Sequence, residues 1–154
     1  MVKFVGIREK YKILEHPAEL RIRVFGKTKE ALFKNAAYAL ANILSSKPIT
    51  KTTRTNDERL KTKIQIKSPD IDSLLVDFLN EILAKSQINK AVYPEIKFLK
   101  FSDTEVESKI FGCEVGHFSE DIKAVTYQDV DIRYKIYDSR NKTKLWQTII
   151  VFDI

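Results

Sequence analysis

The chain has 154 residues, of which 44% are hydrophobic and 31% are charged, as is typical of one globular domain with a substantial core. Its single cysteine excludes an internal disulfide bond, and one cysteine with two histidines excludes a cysteine-based zinc site. The formal net charge of +6 permits contact with nucleic acid or with an acidic partner but does not require it.

The sequence shows no targeting or membrane segment. No stretch approaches the roughly 18 consecutive apolar residues that a membrane helix needs. The first ten residues, MVKFVGIREK, lack the apolar block of a signal peptide. We therefore predict a cytoplasmic protein with no membrane partner. We expect a single domain over residues 1–154, in which residues 1–10 are a loosely held lead-in.

The first part of the chain predicts two strands and a helix. Tyr11–Leu14 is expected to be a short strand, and Pro17 bends the chain because proline cannot donate to a strand ladder. Alternation of apolar residues with arginine predicts a half-buried strand over residues 20–24. Thr28 is placed to cap a helix over Lys29–Leu44, whose apolar residues form one buried stripe.

The middle of the chain predicts a third strand and the most regular helix. Residues 49–58 are polar and are expected to form a mobile loop, and residues 60–66 alternate as a strand with one wet face. Ser68, Pro69 and Asp70 begin a second helix, with proline near its first position. Its apolar side chains keep the i, i+3, i+4, i+7 spacing: Ile71, Leu74, Leu75, Phe78, Leu79, Ile82 and Leu83.

Two carboxylates of this second helix, Asp77 and Glu81, lie four residues apart and therefore on one side. Such a pair can hold a cation or perform acid–base chemistry. More often it belongs to a solvated helix face, and we favour that interpretation.

The second half of the chain is predicted to be mostly strand. Residues 96–101 and 105–113 suggest a hairpin, after a loop that contains Pro94. A loop with an exposed His117 leads to two further strands, over residues 122–127 and 130–136. The order of elements predicts an α+β fold in two layers. Two helices would cover one face of a mixed, mostly antiparallel sheet.

The last ten residues, LWQTIIVFDI, contain a continuous apolar and β-branched run from Thr148 to Phe152. Residues 148–152 predict a strand that is buried on both faces and lies in the middle of the sheet. Asp153 and the α-carboxylate of Ile154 would then follow at the end of a rigid element. Two hard oxygen donors on a stiff support can begin a cation site. The plainer interpretation is that Asp153 only solubilises the terminus, and from these residues alone both interpretations stay open.

No catalytic motif is apparent. The four glycines do not have the spacing of a phosphate loop, and no G-x-S-x-G elbow occurs. Tyr134 and Tyr137, near Arg133 and Arg140, have the chemistry to stack on single-stranded bases, although packing is the favoured role. The residues alone predict an α+β domain with a candidate carboxylate site, and they do not indicate an enzyme.

Four segments, taken in order, resemble the archease family. His16-Pro17-Ala18-Glu19, followed by LRIRVFGKTKEALFKNAAYAL, is similar to the family's H-T-A-D entry, strand, G-K-T turn and helix. LLVDFLNEIL resembles its second helix, and KAVTY and the terminal VFDI resemble two later motifs. Order and spacing match from Tyr11 to the last residue.

The resemblance implies a role that the residues do not give. Archeases are small partners of the RtcB-type RNA ligase, which joins 2′,3′-cyclic phosphate or 3′-phosphate ends to 5′-hydroxyl ends in tRNA splicing and RNA repair. The archease promotes guanylylation of the ligase and its repeated turnover. The chain would therefore be a protein cofactor rather than an enzyme, and would meet RNA indirectly through the ligase.

The resemblance also implies a metal site. Carried over residue by residue, the ligands of a divalent ion (calcium, magnesium or manganese) would be Glu19, Asp153 and the α-carboxylate of Ile154. Lys123, from the KAVTY motif, and His16 would belong to the functional surface. Lys123 would neutralise the carboxylates when no metal is bound, or would dock an acidic or phosphate group of the partner.

Three positions depart from the family pattern. Glu19 stands where aspartate is usual, and its extra methylene moves the carboxylate by about one carbon–carbon bond. Pro17 stands where threonine is usual, and Gln128 where many members have histidine. These changes bear on the affinity and choice of metal and leave the expected fold unchanged.

Two other hypotheses remain from the sequence. The basic charge and the tyrosine–arginine strand suggest a stand-alone RNA-binding module without a ligase-activating role. A metal-dependent hydrolase that uses Glu19, Asp153, Asp77 and Glu81 ranks last, because no nucleophile or base motif supports it.

Overall fold

A computed structural model describes residues 10–14, 18–49, 57, 59–138, 140 and 143–154. The helices are α1 (Lys29–Leu44) and α2 (Ile71–Asn89). The strands are β1 (Tyr11–Leu14), β2 (Leu20–Gly26), β3 (Lys61–Lys67), β4 (Ala91–Phe101), β5 (Glu105–Glu114), β6 (Ala124–Thr126), β7 (Arg133–Asp138) and β8 (Thr143–Asp153). Three predicted features lie outside the described residues: the lead-in over residues 1–9, the entry residues His16 and Pro17, and most of the loop over residues 49–58.

Side-chain caps set the beginnings of both helices. The Thr28 side chain accepts a hydrogen bond from the Ala31 amide at 3.0 Å, and α1 has the predicted bounds. The Asp70 carboxylate accepts from the Ser73 amide at 2.8 Å, so Asp70 is the cap of α2. Pro69 therefore precedes the cap instead of lying in the first helical turn.

The strands divide between two antiparallel sheets, where the sequence predicted a single, mixed sheet. One sheet has the order β1-β2-β8-β6, with β7 also paired to β8, and the other has the order β3-β5-β4. Alternation along a strand indicates which face is buried but not which strand lies beside it, so the division was not predicted. Both helices contact strands of both sheets and share one apolar core, and the α+β class is confirmed.

β4 begins earlier than predicted and includes Pro94. Its pairing with β5 shifts register between Val92 and Glu95, and a strand tolerates proline at such an irregularity. Conversely, β6 is shorter than predicted, and β7 begins at Arg133. Within the described residues, no helix combines the length and apolar character that crossing a bilayer requires.

β8 lies in the middle of the five-stranded sheet, as predicted. It pairs with β2 along one edge, from Gly26 opposite Trp146 to Leu20 opposite Phe152. Its other edge pairs with β7 near its beginning and with β6 near its end. Ile150, Val151 and Phe152 are at most 1% exposed, so the strand is buried on both faces. The buried stretch gives the residues at its end a rigid support.

Candidate functional site

The candidate site is the end of β8, where two other segments meet Asp153. Ala124 pairs with Asp153, and the Lys123 amide donates to the Asp153 carbonyl oxygen at 2.7 Å. On the opposite edge, Leu20 pairs with Phe152, and Glu19 is the residue immediately before β2. One further step of the same register would set Glu19 opposite Asp153, and directly opposed residues of an antiparallel pair share a face.

The Glu19 carboxylate is held by an arginine of its own strand. Arg21 Nε donates to Glu19 Oε1 at 2.7 Å, and Arg21 Nη2 donates to Asp129 Oδ2 at 2.6 Å. The hydrogen bond to Glu19 is the main reason that the pKa of Arg21 is raised. Asp129, at φ 61°, lies in the loop between β6 and β7. The Arg21 guanidinium therefore links this loop to Glu19, the residue just before β2.

Lys123 and Asp153 are both exposed, and so is the terminal Ile154. Backbone pairing fixes Lys123 beside the strand end, while its side chain extends into solvent. This end of the sheet therefore presents carboxylates and an ammonium group within three adjacent segments. Such a surface suits a cation or the phosphate and carboxylate groups of a partner.

Helix α2 positions β6, which carries the KAVTY motif. Asn80 Nδ2 donates to the Val125 carbonyl oxygen at 2.8 Å, and the Val125 amide donates back to Asn80 Oδ1 at 2.8 Å. The Gln87 side chain donates to the Ile122 carbonyl oxygen at 3.0 Å, one residue before Lys123. The Asn80 amide thus pairs with the backbone of β6 much as a neighbouring strand would, and Gln87 holds the segment just before β6.

The two helix carboxylates that the sequence singled out have separate roles. Asp77 accepts hydrogen bonds from the hydroxyl groups of Tyr127 and of Ser68, the latter at 2.5 Å. The bond to Asp77 raises the pKa of Tyr127. Glu81 instead forms an ion pair with Lys85 at 3.9 Å. Asp77 therefore anchors the end of the KAVTY motif, and Glu81 belongs to a solvated helix face.

Comparison with known proteins identifies the family. Residues 11–154 match the family model described as the archease protein family (MTH1598/TM1083). The chain belongs to the archease family. The archease of Methanosarcina barkeri is 32% identical in an alignment 155 residues long, gaps included. The alignment covers 95% of this chain and 97% of that protein. The archease of Pyrococcus furiosus is 28% identical over 148 residues, covering 91% of this chain and 95% of that protein.

Two solved structures share the archease fold. Protein 1598 of Methanobacterium thermoautotrophicum superposes with a TM-score of 0.67 at 20% identity, covering 94% of this chain and 99% of that one. The Thermotoga maritima protein, described as an archease and possible chaperone, gives 0.59 at 17% identity, covering 93% and 96%. These relatives are named as archease proteins or as a possible chaperone.

The donor chemistry of the archease site suits a hard divalent cation, because all the implied ligands are carboxylate oxygens. Among the described residues, however, no three side chains of His, Cys, Asp or Glu are grouped so as to hold a metal ion. Glu19 and Asp153 follow the last paired residues of β2 and β8, Leu20 and Phe152, and the third implied donor is the α-carboxylate of Ile154. A bound ion would have to share Glu19 with Arg21. His16 lies outside the described residues, and its predicted place in the functional surface stays a prediction.

The other residues that the sequence singled out lie apart from the end of β8. His117 is exposed, as expected, and lines a shallow groove with Cys113 and residues 45–49, where burial raises the pKa of the thiol. Tyr137 packs edge-on against Phe25 at 5.7 Å, which matches the favoured packing role.

Sequence reasoning missed two features of the site. The alternating pattern of β2 indicates only that Arg21 is a polar residue of that strand, and no pattern singles out Asp129. Their contact spans 108 residues, and no local pattern encodes it. For Asn80 the sequence offers one signal, a polar amide among the apolar residues of a helix, because a part-buried amide requires partners.

Proposed function

We propose that this archease activates an RtcB-type RNA ligase, promoting its guanylylation and multiple turnover in tRNA splicing and RNA repair. The observation that carries the proposal is that the segments bearing Glu19, Asp153 and Lys123 lie next to one another at the rigid end of β8. These are the positions at which the family motifs place functional residues. The protein would act as a cofactor of the ligase, not as an independent catalyst, and would meet RNA through the ligase.

The residues of this end have distinct roles in the proposal. Buried β8 fixes the backbone of Asp153, and the amide of Lys123 is bonded to the carbonyl oxygen of the same residue, so the backbones of the two residues keep one relative position. Lys123 is exposed and would dock a phosphate or carboxylate group of the ligase.

Glu19, Asp153 and the α-carboxylate of Ile154 would together hold a divalent ion. When bound, such an ion would supply positive charge and open coordination positions for oxygen atoms. Together with Asp129, which is bonded to Arg21, these carboxylates carry a formal charge of −4, and Lys123 and Arg21 contribute +2. The remaining negative charge favours a cation, and Arg21 reduces it. We therefore expect weaker metal binding than a site with the same carboxylates and no arginine would show.

The test is a ligase assay in which RNA ends exceed the ligase, with GTP and Mn²⁺ present. Guanylylated ligase and sealed RNA are followed with and without this protein. Repeated turnover only in its presence is the expected result. Unchanged guanylylation and turnover would refute the proposed function.

Variants then test the site itself. Asp153→Asn is expected to lower stimulation of the ligase at least ~10-fold. It removes the negative charge of a residue that belongs to the family's VFDI motif and lies at the rigid end of β8. Asp121→Asn is the matched control, since Asp121 is an exposed aspartate in the loop before β6. Urea unfolding checks that both variants keep the stability of the native chain. Normal stimulation by Asp153→Asn would exclude this carboxylate from the function.

A further inference from the structure

A second surface lies near the other end of β8. Tyr134 of β7 pairs with Trp146 of β8, and Ile136 pairs with Lys144, so these four side chains share one face of the sheet. The rings of Tyr134 and Trp146 lie 4.9 Å apart with an interplanar angle of 37°. We call this surface the aromatic ledge and define it as Tyr134, Ile136, Trp146, Lys144 and the neighbouring Lys29.

The ledge is open to solvent at its outer side. Among the described strands, β7 pairs only with β8, so its other edge is unpaired. Tyr134 is 51% exposed and Ile136 is 60% exposed. Large apolar side chains on an unpaired edge strand are an aggregation hazard, and their presence there marks a binding surface.

Ammonium groups accompany both rings of the ledge. Lys29 Nζ lies 5.1 Å from the centre of the Trp146 ring, and Lys144 Nζ lies 5.9 Å from that of Tyr134. Lys29 also pairs with the exposed Asp103 at 2.9 Å, a carboxylate that a phosphate would have to replace. Flat rings beside cations match the two parts of a nucleotide, because a base stacks and a phosphate is neutralised.

We propose that the aromatic ledge binds single-stranded nucleic acid, with one base stacked on Tyr134 and the adjoining phosphates held by Lys29 and Lys144. A single strand is favoured over a duplex because bases must be unpaired to stack on side-chain rings. The net charge of +6 favours the same partner. The sequence had suggested Tyr134 and Tyr137 together, whereas the structure pairs Tyr134 with Trp146.

The ledge is separate from the carboxylate end. Trp146 and Asp153 are seven residue steps apart along β8, and at about 3.3 Å per step they lie roughly 23 Å apart. Both surfaces can therefore be occupied at once. The proposal does not depend on the ligase-activating role, and the two are tested by different measurements.

The experiment uses the only tryptophan of the chain as its probe. Trp146 fluorescence is recorded while a 12-nucleotide oligouridine RNA is added at low salt and again at higher salt. We expect saturable quenching, weaker at higher salt, because phosphate contacts release counterions. Tyr134→Ala should weaken binding about 10-fold, the loss that one stacked base entails. Tyr134 is exposed on an edge strand, so this variant is expected to fold, and circular dichroism checks it.

Two lysine variants separate a specific contact from general charge. Lys144→Glu should weaken binding and make it less sensitive to salt. Lys97→Glu, an exposed lysine on the other sheet, is the matched control for charge. Absence of quenching at low salt, or equal losses in both lysine variants, would overturn the proposal. Quenching by the ligase but not by RNA would also overturn it and would make the ledge a protein contact.

Discussion

The side-chain amide of Asn80 gives the sharpest test of how the fold positions the KAVTY motif. Its two hydrogen bonds with Val125, both at 2.8 Å, fix the orientation of the amide. The carbonyl of Val125 can only accept and its amide can only donate, so Nδ2 and Oδ1 are not interchangeable. Asn80→Asp keeps the shape and the bond from the Val125 amide. It replaces the other donor with an acceptor that faces the Val125 carbonyl oxygen.

The expected cost follows from that exchange. One part-buried hydrogen bond is lost and a carbonyl oxygen is left without its donor, so the free energy of unfolding should fall by about 1–3 kcal/mol at pH 7. β6 should also detach from α2 more readily, so stimulation of the ligase should fall along with stability. A protonated aspartate donates again, and the facing carbonyl favours that form. The difference from the native chain should therefore shrink as the pH falls towards the raised pKa of the new carboxyl.

The assay is urea unfolding of both proteins at pH 7 and at successively lower pH. Asn42→Asp is the control, because Asn42 donates to the Tyr38 carbonyl oxygen at 3.1 Å within α1 and does not hold β6. We expect a loss below ~0.5 kcal/mol for the control, since a helix carbonyl at that position already accepts a backbone bond. Equal losses in the two variants, or a loss for Asn80→Asp that does not change with pH, would refute the reasoning.

Three further predictions concern other parts of the chain. Arg21→Gln should tighten Mn²⁺ binding about 5- to 10-fold in calorimetry, because it removes a cation beside Glu19, while Arg23→Gln should not. Gly26→Ala should destabilise by about 1–3 kcal/mol in urea unfolding, since its Cβ would lie 2.3 Å from the Leu32 amide nitrogen. Burial raises the pKa of Asp72, so ionising this carboxylate lowers the free energy of unfolding as the pH rises above about 3.9. Asp72→Asn does not ionise, so its stability relative to the native chain should increase over that pH range, as measured by urea unfolding at several pH values.

The elements with strong periodicity were predictable because burial repeats along them. The apolar stripe of α2 and the continuous apolar run of β8 both appear in the structure where the sequence places them. Thr28 carried its own capping signal, so the beginning of α1 was predictable too. In these cases the physical cause lies within a few residues of its effect.

The contacts that build the site have no such local cause. The division into two sheets depends on which strands become neighbours. Arg21 meets Asp129 only because β2 and β6 pair with opposite edges of β8, and Asp129 lies in the loop after β6. Pro94 suggested a loop because proline normally ends a strand, yet a register shift accommodates it within β4. Placing Asp153 beside Glu19 from the sequence required the family motifs, since no spacing rule joins them.

β8 also determines how the two proposed surfaces can work together. Its buried residues make it a rigid spacer, so the roughly 23 Å between Trp146 and Asp153 cannot adjust to a partner. A nucleic acid strand on the ledge would therefore be held at a fixed distance from whatever binds the carboxylate end. It follows that Tyr134→Ala should leave guanylylation of the ligase intact and lower only sealing at limiting RNA. Asp153→Asn should affect both. Loss of guanylylation in Tyr134→Ala would show that the two surfaces are not independent.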